Sequence, residues 1–357
     1  VSGAPKQEGW IMTTSRRVSR RAMLGGAATM LAAPRLARAK PASIVVACSG
    51  GKLEEAFTAA YYKPFTAKTG IEIVSTVNTY SKLKAMVEAG AVEWDVAQMD
   101  SSAAATNAAQ GLLEKLDYGV IDKIDLITGV PHESYIPCDV AAAVMSWNTK
   151  NVKPAQVPQS WAELWDMKRF GGQRGFWKQP YQTMEIALLA DGVAKDKLYP
   201  VDVERALKSL DRIKSEIFWW TSGGQSAQIL IDGDIAAGMT WNGRVMDPKL
   251  AGAPVDFNFD QALFVADSWL IPRGTKNKQA AMDFIAFTVQ AAPQAEFAKA
   301  IPYGPVNRKA LALLDNARLA VLPSSDENLP KGVFQNFDWW AQNGQKAGER
   351  FNSWLLS

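Results

Sequence analysis

Histidine occurs once among the 357 residues and cysteine twice, and no long apolar run appears. One histidine cannot build a histidine-based metal cluster, and it leaves a His-dependent nucleophile a single candidate base. That residue, His132, sits in the loop-like stretch Gly129-Val130-Pro131-His132-Glu133-Ser134 and reads as a solvated loop side chain. Cys48 and Cys138 allow either one disulfide or two small buried hydrophobes, and the sequence leaves both open. No Gly-x-Ser-x-Gly, Walker or dinucleotide fingerprint is present. Ser81-Lys82-Leu83-Lys84 and Lys68-Thr69-Gly70 match two motifs of penicillin-recognising enzymes but stand in reverse order, so a helix face and a helix end explain them better. No catalytic residue, cofactor site or metal site is expected.

The excess of positive charge is confined to one end. The chain carries 39 Lys and Arg against 36 Asp and Glu. Lys6, Arg16, Arg17, Arg20, Arg21, Arg35 and Arg38 all lie within residues 1–39, where Glu8 is the only acid, so the remainder has a net charge of −3. No basic footprint for nucleic acid survives there. Ser19-Arg20-Arg21-Ala22-Met23-Leu24 has the twin-arginine form. An apolar run from Ala22 to Ala33 follows, and Ala37-Arg38-Ala39 offers a small-x-small cleavage pattern. The run is shorter than the roughly 20 residues that span a bilayer. Residues 1–39 therefore read as a twin-arginine signal peptide, with Met12 a candidate start. The mature chain is expected in the periplasm, not inserted in a membrane.

The rest exceeds the size at which one core stops growing, so two lobes are expected. Short β-branched runs alternate with helical patterns, the signature of βαβ units and parallel-rich sheets. Strands are expected at Ser43–Ala47, Ile71–Val77, Asp95–Met99, Arg174–Trp177, Glu216–Trp220 and Ile235–Trp241. Helices are expected at 52–67, 80–89, 183–190, 201–213, 277–290, 293–300 and 338–350. Ser160 with Glu163 fits a capping box. Two long apolar segments, Tyr135–Asn148 and Gln261–Ile271, read as crossings between lobes. The expected partition is residues 1–39 leader, 40–138 with 268–357 lobe I, and 139–267 lobe II. In such α/β sheets ligands lie where strand ends feed helix starts, here 49–51, 99–102, 222–225 and 241–244.

These motifs resemble the periplasmic solute-binding proteins of ABC importers, specifically the spermidine/putrescine-binding branch. The likeness rests on Ser49-Gly50-Gly51, Pro64 to Ile71, Asp232-Gly233-Asp234, Trp241-Asn242-Gly243-Arg244 and Ile301 to Asn307, in order and covering almost all of the chain beyond residue 39. It implies the type II periplasmic binding-protein fold, a monomer that captures a small solute by lobe closure, and partners in a permease and its ATPase. One departure matters. The branch's polyamine binders carry a carboxylate where this chain has Trp241-Asn242-Gly243-Arg244, and an arginine repels a polycation while offering a planar fork to a carboxylate.

The candidate ligand residues follow. Arg244 either pairs with a ligand carboxylate or is tied to Asp247. Asp267 interrupts an apolar crossing, where a carboxylate needs a partner, either a ligand ammonium or Arg244. If both bind, the ligand is a zwitterion, and γ-aminobutyrate, known as a ligand among relatives of this branch, fits. Trp241 packs on the ligand or in the core; Tyr303 lines the cleft or stiffens its turn; Tyr181 is a lesser candidate. Ser49 and Gly50, with Ser222 and Gly223, present backbone N–H groups to an anion or simply start helices. Asp100 and Ser101 reach the ligand or cap their helix. A polyamine binder, or a ferric-ion binder using Tyr61 and Tyr62, remains an alternative on the same fold. Adjacent helical positions point apart, so one of those tyrosines is expected in the core.

Overall fold

A computed structural model describes residues 41–127, 131–169 and 171–357. The signal-peptide expectation for residues 1–39 falls outside them. The strands are β1 (Ser43–Cys48), β2 (Glu72–Val77), β3 (Val96–Asp100), β4 (Tyr135–Pro137), β5 (Ala141–Asn148), β6 (Gln173–Trp177), β7 (Ile217–Trp220), β8 (Ile235–Trp241), β9 (Val255–Val265), β10 (Asp267–Leu270) and β11 (Val333–Phe334). They form a sheet of order β2-β1-β3-β10-β4 and a second of order β11-β9-β5-β8-β6-β7. Within the first, β1 runs parallel to β2 and β3, while β10 is antiparallel to β3 and β4. This is the mixed α/β, two-sheet architecture expected of a type II periplasmic binding protein.

Alternation along β1 shows why that strand is buried on both faces. Ile44, Val46 and Cys48 join a cluster with Phe57, Tyr61 and Trp269, whereas Val45 and Ala47 meet Leu83, Met86 and Met99. A strand covered by helices on both sides reads as a continuous apolar run, which is how Ser-Ile-Val-Val-Ala reads. The second sheet has its own core around Trp161, Phe176, Trp220 and Met239.

Both crossings occur where the apolar runs are too long for one strand. The chain leaves the first sheet after β4 and enters the second at β5; it returns through Ala266, between β9 and β10. Asp267 opens β10 opposite Asp100, so residue 267 pairs within the first sheet. The C-terminal part also reaches the second sheet. After the helices Lys278–Thr288 and Ala291–Ala300, the chain crosses a third time: Val333 and Phe334 pair with Leu263 and Phe264 of the second sheet. The helix Phe337–Leu356 then buries Trp340, Ala347, Phe351 and Trp354 in the second core, while Phe337 and Ala341 touch the first-lobe cluster around Leu83. Its apolar face is long enough to lean on both lobes.

One open alternative resolves and two local expectations change. Cys48 and Cys138 are free thiols, fully buried in one apolar cluster, so the disulfide is not formed. Ser160 does not cap its helix with its side chain; Gln261 Oε1, from the second-lobe crossing, accepts the Trp161 N–H at 2.8 Å, and Glu163 accepts from Gln159 N–H instead. Tyr61 and Tyr62 are both buried, because Thr58–Tyr62 adopts a π-helical turn that changes the phase of the helix. Tyr61 there accepts from Gln294. No helix of the described residues is long and apolar enough to cross a membrane.

Candidate functional site

The strand ends of both sheets open onto one cavity of about 1080 Å³. From β1 comes Ser49, whose N–H and hydroxyl both donate to the buried Gln98 Oε1, at 3.0 and 2.9 Å. From β3 comes Asp100, which also caps the helix Ser101–Ala109 by accepting from Ser102 and Ala103 N–H at 2.8 and 3.2 Å. The crossings contribute Asp139 and Asp267. Trp241 and Arg244 follow β8, Trp177, Tyr181 and Gln182 follow β6, Tyr303 comes from the returning loop, and Trp340 from the C-terminal helix.

Three carboxyls converge on the cavity floor. Asp100 and Asp267 are opposed residues of the β3–β10 ladder, and the Asp267 N–H donates to Asp139 Oδ1 at 3.3 Å. None of the three makes an ion pair among the described residues. Desolvation pushes all of them up. For Asp267, desolvation and then the charge of Asp100 raise the carboxyl to about 7, against an opposing hydrogen bond from Gln98. Asp139, which is fully buried, is pushed well above the carboxylate range, by desolvation first and Asp267 second. Asp100 is raised less decisively, since the Ala103 and Ser102 N–H groups hold its ionised form. The floor therefore holds more protons than three free carboxyls would, and a bound cation can replace them.

Aromatic side chains wall the same space. The Trp241 ring meets Trp177 and Trp220 edge-on, with centroids 5.1 Å away in each case, and Tyr181 lies 4.5 Å from Trp340. The Trp241 indole donates to Gln182 Oε1 at 2.9 Å. Gln182 itself has φ 63°, a backbone state that costs about 1–3 kcal/mol in a non-glycine residue and recurs at ligand clamps.

Arg244 lines the cavity, is exposed, and makes no hydrogen bond or ion pair among the described residues. Asp247, offered by the sequence as its internal partner, is bonded to Lys52 across the lobes instead. Tyr303 senses both charges of the site: after desolvation, Asp139 and Asp267 push its phenol up and Arg244 pulls it down. Gly243 makes that position possible, since a β-carbon there would lie 2.7 Å from Tyr303 Cε1.

Of the expected residues, Arg244, Asp267, Trp241, Tyr303, Ser49, Asp100 and Tyr181 line the cavity. Four do not. Ser101 is fully buried with its hydroxyl on Ser268 at 2.7 Å; Ser222 caps the helix Gly223–Asp232 through Gln225 N–H. Gly50 starts the first helix at φ 76°. Gly223 is buried under the site, where a β-carbon would meet Arg244 Nε at 2.8 Å and the Trp241 ring at 3.0 Å. The sequence reading missed Asp139, Trp177, Gln182 and Trp340. Asp139 bears the signal that marked Asp267, a carboxylate inside an apolar crossing. Trp177 stands at a strand's carboxyl end, like the loops that were singled out.

Known proteins agree with this architecture. The model of the bacterial extracellular solute-binding protein family matches residues 60–331. A γ-aminobutyric acid-binding protein of Pseudomonas aeruginosa is 35% identical over 328 residues, 89% of this chain and 92% of that protein. A spermidine/putrescine-binding periplasmic protein of Escherichia coli is 25% identical over 289 residues, 76% of this chain and 81% of its own length. The solved structure of the Atu4243 GABA receptor superposes with a TM-score of 0.81 at 40% identity, over 88% of this chain and 97% of that one. These relatives are binding proteins rather than enzymes. With a family match over most of its length and a relative 35% identical over 89% of it, this chain belongs to the bacterial extracellular solute-binding proteins.

Proposed function

We propose that the protein is the receptor of an ABC importer for a short ω-amino acid of the γ-aminobutyrate type. The observation that carries the reading is the pairing, in one cavity, of a carboxyl cluster and an arginine that have no ion-pair partner among the described residues. An ammonium fits the floor of Asp100, Asp139 and Asp267 among aromatic faces, and a carboxylate fits the guanidinium fork of Arg244. Trp241, Tyr303 and Tyr181 pack along the methylenes between, and Ser49 adds a polar contact. The relatives that bind γ-aminobutyrate by name support the same ligand class.

The ligand touches both lobes and so favours the closed form by its differential affinity for it. Export by the twin-arginine route through residues 1–39, and docking of the closed form on a permease with its ATPase, complete the reading. A polyamine is the second reading, favoured by the acidic floor and disfavoured by Arg244.

Thermal unfolding with each solute separates the two. At a ligand concentration 100 times Kd, stability rises by about 2.7 kcal/mol. A shift with γ-aminobutyrate and none with putrescine supports the zwitterion clamp. A shift with putrescine alone overturns it.

A further inference from the structure

Glu185 lies behind the cleft wall, in the helix Thr183–Ala190, and is fully buried with no ion pair among the described residues. One of its oxygens does all the accepting. Oε1 takes the Trp340 indole N–H at 2.5 Å, the Tyr199 hydroxyl at 2.7 Å and the Gln335 amide at 3.3 Å, whereas Oε2 has no partner. Two of those donors, Trp340 and Gln335, line the ligand cavity. Both follow β11, whose pairing with β9 and the Gln335 N–H bond to the Phe264 carbonyl at 2.9 Å fix the backbone, while Glu185 Oε1 holds the two side chains. Trp340 in turn stacks on Tyr181, and the absent side chain of Gly344 lets the Tyr181 hydroxyl approach.

As packing alone, a buried carboxyl is an expensive choice, since an apolar side chain of similar volume carries no desolvation cost. What it supplies is an acceptor shared by three donors from separate segments. Desolvation pushes the Glu185 carboxyl up, while the hydrogen bonds from Tyr199, Trp340 and Gln335 pull it down.

We propose that Glu185 is a positioning residue for ligand capture: its Oε1 pins Trp340 and Gln335, so that the second-lobe wall is formed before the ligand arrives. This rests on the cleft being the solute site argued above. Preformed walls raise affinity by removing the ordering cost that binding would otherwise carry. A glutamine keeps one acceptor oxygen in the same place; a methionine keeps the volume and loses it.

The test uses the full chain, titrated calorimetrically with γ-aminobutyrate, together with the indole N–H resonances, Trp340 being assigned by its loss in Trp340→Phe. Expected are a dissociation constant within about twofold of wild type for Glu185→Gln and about tenfold weaker for Glu185→Met. The Trp340 N–H should be slow to exchange with solvent in wild type and in Glu185→Gln, and fast in Glu185→Met. A folded Glu185→Met with unchanged affinity, or an unchanged Trp340 signal, overturns the proposal. Should Glu185→Met not fold, a wild-type Trp340 N–H that exchanges freely overturns it, and one protected in both wild type and Glu185→Gln supports it. A wild-type protein that ignores γ-aminobutyrate removes the functional reading alone, because the indole signal is read without ligand.

Discussion

Asp139 accepts the backbone N–H of Asp267, so the two crossing segments meet at a pair of carboxyls on the cleft floor. Each segment thus lines the cavity, and under the proposed function each carries part of the ligand site. A cation bound there touches both segments at once, which ties capture to the geometry of the connection.

The Asp267 carboxyl is raised from 3.8 to about 7. The folded chain keeps this proton up to about 7, whereas the unfolded chain releases it near 3.8, so the stability it contributes is fully present below about 4 and lost as pH rises to about 7. Ligand affinity moves the other way: a bound ammonium favours the ionised carboxyl, and γ-aminobutyrate should bind more tightly as pH climbs through 7. Calorimetry and thermal unfolding between pH 5 and 8 check both slopes, and Asp267→Asn should remove the Asp267 share of each while the raised Asp139 keeps its own.

Arg244→Ala should weaken γ-aminobutyrate by about 2–5 kcal/mol, the cost of leaving a buried ligand carboxylate unpaired. Because Arg244 makes no ion pair among the described residues, ligand-free stability should move by less than about 0.5 kcal/mol. A large loss of ligand-free stability would mean that the arginine is structural.

Gly238→Ala should be severe. A β-carbon there would stand 2.3 Å from the Gly175 carbonyl oxygen and 2.6 Å from its nitrogen, backbone atoms of the neighbouring strand that cannot step aside. A loss of about 3 kcal/mol or more in urea unfolding is expected. Gly175→Ala, which meets the movable Cδ1 of Ile235 at 2.5 Å, should cost less.

Lys52 and Asp247 join the helix after β1 to the helix after β8, one from each lobe, but their side chains are 76% and 46% exposed. A double-mutant cycle should return a coupling below about 1 kcal/mol that shrinks with added salt. A larger, salt-insensitive coupling would show a latch stronger than the geometry supports.

Local signals in the sequence carried much of the fold. The strand Ile235–Trp241 appears with its expected ends, and Asp100 and Ser222 cap the helices they precede. What escaped was non-local. Gln261 occupies the capping position expected of Ser160 from 100 residues away, and a pattern within one helix cannot announce such a partner. The amphipathic face of 338–350 says that something will cover it, not which sheet does, so the third crossing and Trp340 stayed hidden. Around the ligand, Arg244 and Asp267 stood out as charges in the wrong surroundings. Asp139 stood in similar surroundings, and Trp177 resembled twelve other tryptophans.

The C-terminal helix also makes the molecule easy to instrument. Its 20 residues form a rod about 30 Å long, seated on the second lobe and ending in the exposed Leu356. Gly90, exposed at the end of the helix Tyr80–Glu88, marks the first lobe. Both native thiols are sealed in the interior. Cysteines introduced at Ala89, the exposed neighbour of Gly90 in ordinary helical geometry, and at Ser357 would therefore accept a donor and an acceptor dye without competition, and energy transfer between them would follow the angle of the two lobes in real time.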